Sequence, residues 1–180
     1  MYKKSILFLL FTLSSFCFAQ DKVISKTGNI TFEASVPALE EVKALNNGVT
    51  FVINTKTGEI ASLALMKGFR FKVALMEEHF NENYVESDTF PKATFRGKID
   101  GFDFSALTES AKEYTITGKL ELHGKSNDIS IKAKIKKSDS GITILSNFFV
   151  NASDYNISIP SVVKSKVSNK ISVKFDATLK

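Results

Sequence analysis

The 180-residue chain contains very little cysteine, histidine or proline. Cys17 is the only cysteine and lies close to the N-terminus, so the rest of the chain has no thiol for a disulfide, a nucleophile or a metal ligand. Its two histidines, His79 and His123, cannot form a metal centre without carboxylates, because such centres need three or four converging ligands. We therefore predict no metal site and no cofactor.

Catalytic signatures are also missing. The sequence contains no G-x-S-x-G elbow, the turn that presents a nucleophilic serine in many hydrolases. Glu77, Glu78 and His79 are adjacent and combine an acid, a base and a metal ligand, but the other partners of a reactive site are absent from their surroundings in sequence. We predict that the protein is not an enzyme and has no catalytic residues.

The N-terminus has the order of segments typical of a secretory signal peptide. Lys3 and Lys4 precede a short apolar run over residues 6–13, and small residues follow up to Ala19. Cleavage is expected after Ala19, which leaves a mature domain of residues 20–180 without a transmembrane segment, in the periplasm or outside the cell. Bulky Phe16 argues against a lipid anchor on Cys17, because a lipoprotein signal has a small residue there.

The net charge and its distribution argue against nucleic acid as a binding partner. Removing residues 1–19 takes two of the 24 basic residues and leaves 22 against 19 acidic ones, a net charge of +3. The lysines are dispersed over polar strand faces, as at Lys132, Lys134 and Lys136, and do not form one basic surface. The expected partner is not nucleic acid, and the sequence leaves the oligomeric state open, with a homodimer as one possible assembly.

Alternation of apolar and polar residues dominates the chain. This period of two is typical of strands with one buried face and one wet face. Eight segments show it, and short polar turns separate several of them: residues 30–36, 49–53, 69–73, 93–99, 114–122, 129–135, 142–150 and 171–179. In a secreted chain such strands must pair at every edge, so we predict an all-β fold, an antiparallel barrel of about eight strands.

One segment has helical periodicity instead. Val73, Met76, Phe80 and Tyr84 recur at spacings of three and four, and Pro91 lies beyond them. This pattern predicts a short helical cap in which Met76 and Phe80 point into the barrel mouth, with Glu77, Glu78 and Asn81 in water. A second short helix is predicted near residues 38–45.

The interior of the predicted barrel is rich in aromatic rings: Phe32, Phe51, Phe69, Phe71, Phe95, Tyr114, Phe148 and Phe175. A barrel of eight strands is either filled by its own side chains or encloses one small ligand. The alternation alone is compatible with both.

Three motifs resemble the YceI-like family. The first runs from Phe69-Arg70-Phe71 through the cap to Phe90-Pro91 and Ala93-Thr94-Phe95; the others are Gly118 to Gly124, similar to G-x-L-x-x-H-G, and Ser153 to Ile157 with Ile159-Pro160. The resemblance covers nearly all of the mature chain and implies an exported, lipocalin-like barrel that binds polyisoprenoid lipids. Asn156 replaces the more usual glycine, and the first strand lacks the histidine that many relatives have after it.

The resemblance and the pattern together indicate candidate ligand contacts. These are the inward or cap residues Phe69, Phe71, Met76, Phe80, Phe95 and Phe148, with Asp154 and Tyr155 in the third motif. Asp154 and Tyr155 have an alternative role, which is to brace their loop by local hydrogen bonds. Arg70 and Lys72 are candidates to meet a lipid headgroup, or are ordinary surface charges.

We therefore expect a non-catalytic exported protein that sequesters or carries an amphipathic isoprenoid-like or other long-chain lipid. The ligand class comes from the resemblance alone. The alternative is a barrel with a filled core that acts as a protein-interaction or stress-protective module.

Overall fold

The computed structural model describes residues 21–36 and 41–180, and the predicted signal peptide lies outside them. Nine strands and one α-helix are present in this part of the chain, together with short 3-10 turns. The strands are β1 (Lys22–Ser35), β2 (Lys43–Asn54), β3 (Glu59–Leu65), β4 (Arg70–Phe71), β5 (Lys92–Ile99), β6 (Lys112–Leu122), β7 (Lys125–Ser138), β8 (Gly141–Asn151) and β9 (Val167–Leu179). The helix is α1 (Ala74–His79).

Eight of these strands form a closed antiparallel barrel. Each pairs with the next in the chain apart from the very short β4, and β1 pairs with both β2 and β9, which closes the ring. Closure removes the exposed edges that an open sheet would otherwise present. The predicted all-β, eight-stranded barrel is confirmed.

Inward side chains fill one half of the barrel completely. The isoleucines that alternate with polar residues meet there, and these side chains have at most 1% exposure: Ile53, Ile99, Ile116, Ile135, Ile144 and Leu179. Burial of such a side chain contributes about 1.5–3 kcal/mol to the hydrophobic free energy of folding. This half, which we call the base, holds the β2–β3 and β7–β8 turns; the opposite end is the mouth.

The cap crosses the mouth between β4 and β5. Helix α1 continues into a π-helical turn, Phe80–Tyr84, so the helical region predicted from the spacing is present. Met76 and Phe80 are partly buried, whereas Val73 precedes the helix and is 42% exposed. Val73 was therefore wrongly assigned to the apolar face.

Two sequence-based assignments are wrong. Residues 69–73 were predicted to be a barrel strand, but only Arg70–Phe71 pairs as a strand, with the start of β2. The strand missed in its place is β3, where Ala64 is buried while Leu63 and Leu65 are 37% and 56% exposed. The larger apolar residues thus lie on the outer face and obscure the alternation.

The second wrong assignment is the short helix near residues 38–45. Lys43–Leu45 belongs to β2, so the predicted second helix does not reach these residues.

The wall between β7 and β8 is incomplete near the mouth. These strands pair from the turn at Ser138 and Gly141 only as far as Ala133 and Ser146. Beyond that point the 3-10 turn Ala152–Tyr155 packs beside β7, and Asn127 donates a 2.7 Å hydrogen bond to the Asp154 carbonyl. The wall at this place is therefore connected through side chains.

Candidate functional site

An apolar cavity of about 350 Å3 occupies the barrel between the base and the cap. This volume lies in the usual range for small-molecule sites, roughly 300–1,000 Å3. Its lining comes from nearly every barrel strand, from the cap and from the segment before β9. The side chains are almost all aliphatic or aromatic, among them Ile30, Phe32, Met66, Leu120, Ile129, Phe148, Ile157 and Phe175.

Four phenylalanine rings close the mouth beneath the cap. The Phe80 ring lies 5.2 Å from those of Phe32 and Phe71 and 5.9 Å from that of Phe69, measured between centroids. Phe32 also contacts Phe69 and Phe71, at 5.3 and 5.7 Å. Offset and edge-on ring pairs at these distances are favourable beyond their buried area. Phe80 therefore attaches the cap to the cavity wall.

Glu77 holds the cap from its polar side. One carboxylate oxygen lies 2.7 Å from the Arg70 guanidinium, and the other accepts a 3.1 Å hydrogen bond from the Phe71 backbone N–H. Asn81 donates a 2.8 Å hydrogen bond to the Glu77 carbonyl. Glu77 and Asn81 were predicted to lie in water, but both are half-buried. Glu77 connects the cap to β4, and the Asn81 hydrogen bond lies within the cap.

A second polar connection links the cap exit to the hairpin between β6 and β7. The His123 side chain is only 9% exposed; its Nδ1 donates to the Tyr155 carbonyl at 3.0 Å, and Nε2 lies 2.7 Å from a Glu86 carboxylate oxygen. Both ring nitrogens thus face oxygen acceptors. Phe90 packs against the ring edge-on at 4.5 Å. His123 is a turn residue with structural contacts.

Backbone strain is concentrated at this connection. Glu86, His123 and Asn156 are the described non-glycine residues with positive φ, at 45°, 50° and 58°. The left-handed region is costly for such residues and persists where the surroundings hold it. Asn156 tolerates it better than most, which explains how it can replace glycine after Tyr155.

Six of the eight predicted ligand contacts line the cavity: Phe69, Phe71, Met76, Phe80, Phe95 and Phe148. Asp154 and Tyr155 do not line it. Asp154 is exposed and accepts a hydrogen bond from Asn151, while Tyr155 is 2% exposed and burial raises the pKa of its phenol. Their contacts correspond to the bracing alternative.

Arg70 and Lys72, the candidate headgroup contacts, point away from the cavity. Arg70 is engaged by Glu77, and the Lys72 ammonium lies 2.6 Å from Glu41, where this hydrogen bond lowers the pKa of the Glu41 carboxyl. Alternation placed both residues on the wet side of the segment, and the structure places them on the outer surface. Neither residue is positioned to contact a molecule inside the barrel.

Sequence reasoning missed the cavity wall contributed by the segment before β9. Ile157, Ile159, Val163 and Lys166 all line the cavity from this stretch, which we call the mouth segment (residues 157–166). It has no strand alternation, so its apolar residues gave no recognisable period. The presence of Ile157 and Ile159 in the third motif was the one available signal.

The described residues contain no group of three or more histidines, cysteines and carboxylates that could hold a metal ion. In the same residues, no helix has the length and apolar character needed to cross a bilayer. What the arrangement can do chemically is to enclose an apolar molecule in a space with few hydrogen-bonding groups.

The fold and cavity define a closed, eight-stranded antiparallel barrel with a capped apolar interior. The YceI-like domain model matches residues 10–179, and the chain belongs to this family. The resemblance found in the sequence is thus confirmed.

Solved structures with the same fold come from several bacteria. A polyisoprenoid binding domain from Saccharophagus degradans aligns with a TM-score of 0.76 at 16% identity, covering 89% of this chain and 98% of that one. BcnA of Burkholderia cenocepacia aligns at 0.68 and 16% identity, with 84% and 96% coverage. The YCEI protein of Campylobacter jejuni aligns at 0.53 and 16% identity, with 99% of each chain covered. At this identity the similarity concerns the fold. No curated protein sequence matches the chain.

Proposed function

We propose that this protein is an exported, non-catalytic binding protein that sequesters or carries an amphipathic isoprenoid-like lipid in its barrel. The observation that carries the proposal is the apolar cavity of about 350 Å3 under the cap. The Saccharophagus degradans domain of the same fold is described as polyisoprenoid binding, which supports the ligand class.

The energetics favour a long apolar tail. Transfer of each CH2-sized group from water to an apolar wall is worth about 0.8 kcal/mol, before the cost of immobilising the ligand. Branched, flexible isoprenoid tails contact a wall of isoleucine, phenylalanine and methionine over their whole length. Specific polar contacts are needed only where the head of the lipid leaves the cavity.

Copurification tests the proposal directly. Protein purified without detergent is extracted with organic solvent, and the extract is analysed by mass spectrometry for a stoichiometric lipid. Ala93→Phe adds a ring to a small residue that lines the cavity, and the matched control Ala61→Phe adds one to a neighbouring strand at a residue outside the lining. We expect lipid with wild type and Ala61→Phe, and much less with Ala93→Phe.

Folded protein that yields no lipid and binds none added would contradict the carrier function. That result would favour the alternative, a filled-core barrel that acts through protein interactions. The completely buried base of the barrel is the observation on which this alternative depends.

Export is inferred from the N-terminal sequence. Lys3, Lys4 and the apolar run before Ala19 support cleavage at that residue. Intact-mass measurement of protein from a native host should show a chain that begins at Gln20. A mass that includes acyl chains on Cys17 would instead show a membrane-tethered protein.

A further inference from the structure

The polar groups of the cavity wall are few and have one permanent charge among them. Ser62, His79, Tyr84 and Lys166 supply the polar side chains of the lining, and Lys166 is the one whose side chain is always ionised at neutral pH. Lys166 is exposed, so its ammonium remains hydrated at the edge of an otherwise apolar wall. The position of Lys166 therefore indicates where a charged group of the ligand could lie.

Lys166 lies at the mouth. It immediately precedes β9, and the first residue of β9, Val167, pairs with Ser35 at the end of β1. Helix α1, which brings His79 into the cavity lining, covers the same end. The cation thus marks the end of the cavity from which a ligand head would reach solvent, opposite the filled base.

The sequence around Lys166 is basic. Residues 155–175 contain four lysines and no aspartate or glutamate. Among the cations of the mouth, Lys67, Arg70 and Lys72 are paired with Asp88, Glu77 and Glu41. Lys92 and Lys125, at the same end, form no ion pair within the described residues and do not line the cavity. Within residues 21–36 and 41–180, Lys166 takes part in no ion pair.

We propose that the bound lipid carries an anionic head, a phosphate or a carboxylate, and that Lys166 binds this head at the mouth while the tail fills the cavity. The proposal rests on the lipid-binding function above and specifies its ligand class. An ammonium forms charge-assisted hydrogen bonds to such oxygens, stronger than those to a neutral hydroxyl. Partial exposure moderates the gain, so a preference of about tenfold is expected.

The test compares two probes with one tail, geranylgeraniol and geranylgeranyl monophosphate. Affinities are measured by isothermal titration below the micelle concentration, at low and at high salt. For the wild type, we expect the phosphate to bind about tenfold more tightly at low salt, with a smaller difference at high salt. Lys166→Gln should remove this preference without weakening alcohol binding, and Lys166→Arg should retain it.

Lys164→Gln is the matched control, since Lys164 lies in the same segment two residues away and does not line the cavity. This variant should retain the full phosphate preference. Inorganic phosphate is added as a competitor, and it should not displace either lipid probe at millimolar concentration. Displacement of the phosphate probe by inorganic phosphate would show a site for the free anion and overturn the proposal.

Three further results would overturn it. If the wild type binds both probes with equal affinity, lipid binding stands but the preference for an anionic head is contradicted. An equal loss of both affinities in Lys166→Gln would mean that the lysine methylenes pack on the tail. If neither probe binds, the lipid-binding function itself fails, and the head preference fails with it.

Discussion

At the scale of single residues, two glycines and one phenylalanine form the wall between β5 and β6. Gly97 faces Gly118 across these strands, and the Phe95 ring lies over both. A Cβ built on Gly97 or Gly118 would stand 2.7 or 2.8 Å from the Phe95 Cζ atom. The ring thus takes the space that two side chains would need, and this arrangement sets the cavity wall at Phe95.

Gly118→Ala should destabilise the protein by about 1–3 kcal/mol, because the added methyl overpacks a wall with no room to relax. Gly48→Ala is the control, since the nearest atom to its Cβ would be 3.6 Å away. Denaturant unfolding measures both. The Gly118 Cβ would also clash with the Arg96 carbonyl oxygen, so equal stability of the two variants would mean that both the Phe95 ring and the β5 backbone give way freely.

Removal of the His123 ring should also destabilise the protein by about 1–3 kcal/mol, because the variant loses two hydrogen bonds and exposes a buried acceptor. His79, which is exposed and makes no such contacts, should change the stability by less than about 0.5 kcal/mol when replaced by alanine. Thermal unfolding tests both, and lipid affinity should stay within a few-fold.

Elemental analysis completes this experiment. Neither histidine is expected to bind a metal. Stoichiometric metal in the purified protein, lost in His79→Ala or His123→Ala, would contradict the absence of a metal site.

At the scale of elements, the order of strands was largely predictable because β6 to β9 alternate cleanly. Residues 69–73 were predicted as a barrel strand and β3 was missed. This error shows the limit of alternation as a signal for strands. In β3 the inward residues include Ala64 and Ser62, while the outward ones are leucines. Small residues face inward there, and strand identity then depends on pairing with β2 and β5, which a single sequence does not reveal.

The cap should respond to Phe80→Ala in one of two measurable ways. Loss of a fully packed ring costs about 3–5 kcal/mol. Because Phe80 also faces the cavity, we expect a smaller loss in lipid-free protein and a clear change in lipid affinity or release rate. Unfolding of delipidated protein and titration with a fluorescent isoprenoid analogue measure the two effects.

Phe149→Ala provides the matched control, since this ring is 58% exposed on the outer face and lies under Lys170. It should leave lipid affinity unchanged and stability nearly so. Severe destabilisation by Phe80→Ala, together with no lipid binding by the wild type, would favour the filled barrel.

At the scale of the whole molecule, the barrel combines a packed base with an upper half that contains the apolar cavity under the cap. The alternation is the same in both halves, so periodicity alone could not show that an apolar cavity remains. Its volume depends on side-chain size at each level: isoleucines interlock in the base, while Ala64, Ala93 and Ser62 leave space above. Five of the aromatic residues predicted as ligand contacts, together with Met76, line this space.

The mouth differs in how firmly its parts are held. The cap is held by Glu77, by the ring of Phe80 and by the contact between Glu86 and His123. The mouth segment is held less firmly: apart from the 3.1 Å hydrogen bond from the Ile157 N–H to the Ala152 carbonyl at its start, its hydrogen bonds to described residues are all local, within the stretch 160–166. Apolar contacts of Ile159 and Val163 with the cavity hold it in place.

Hydrogen exchange of the lipid-free and lipid-loaded protein should therefore divide the molecule into three parts. Amides in the base, such as those of Ile135 and Ile144, should exchange only through global unfolding in both states. Amides of the mouth segment should exchange quickly without lipid and several-fold more slowly with it, because a bound tail gives Ile159 and Val163 a packing partner. The cap should change less, since its connections do not depend on lipid. The turn Phe104–Ala106, at the base, is the internal control and should be unaffected. Protection confined to α1, with no change in the mouth segment, would identify the cap as the element that opens for the ligand.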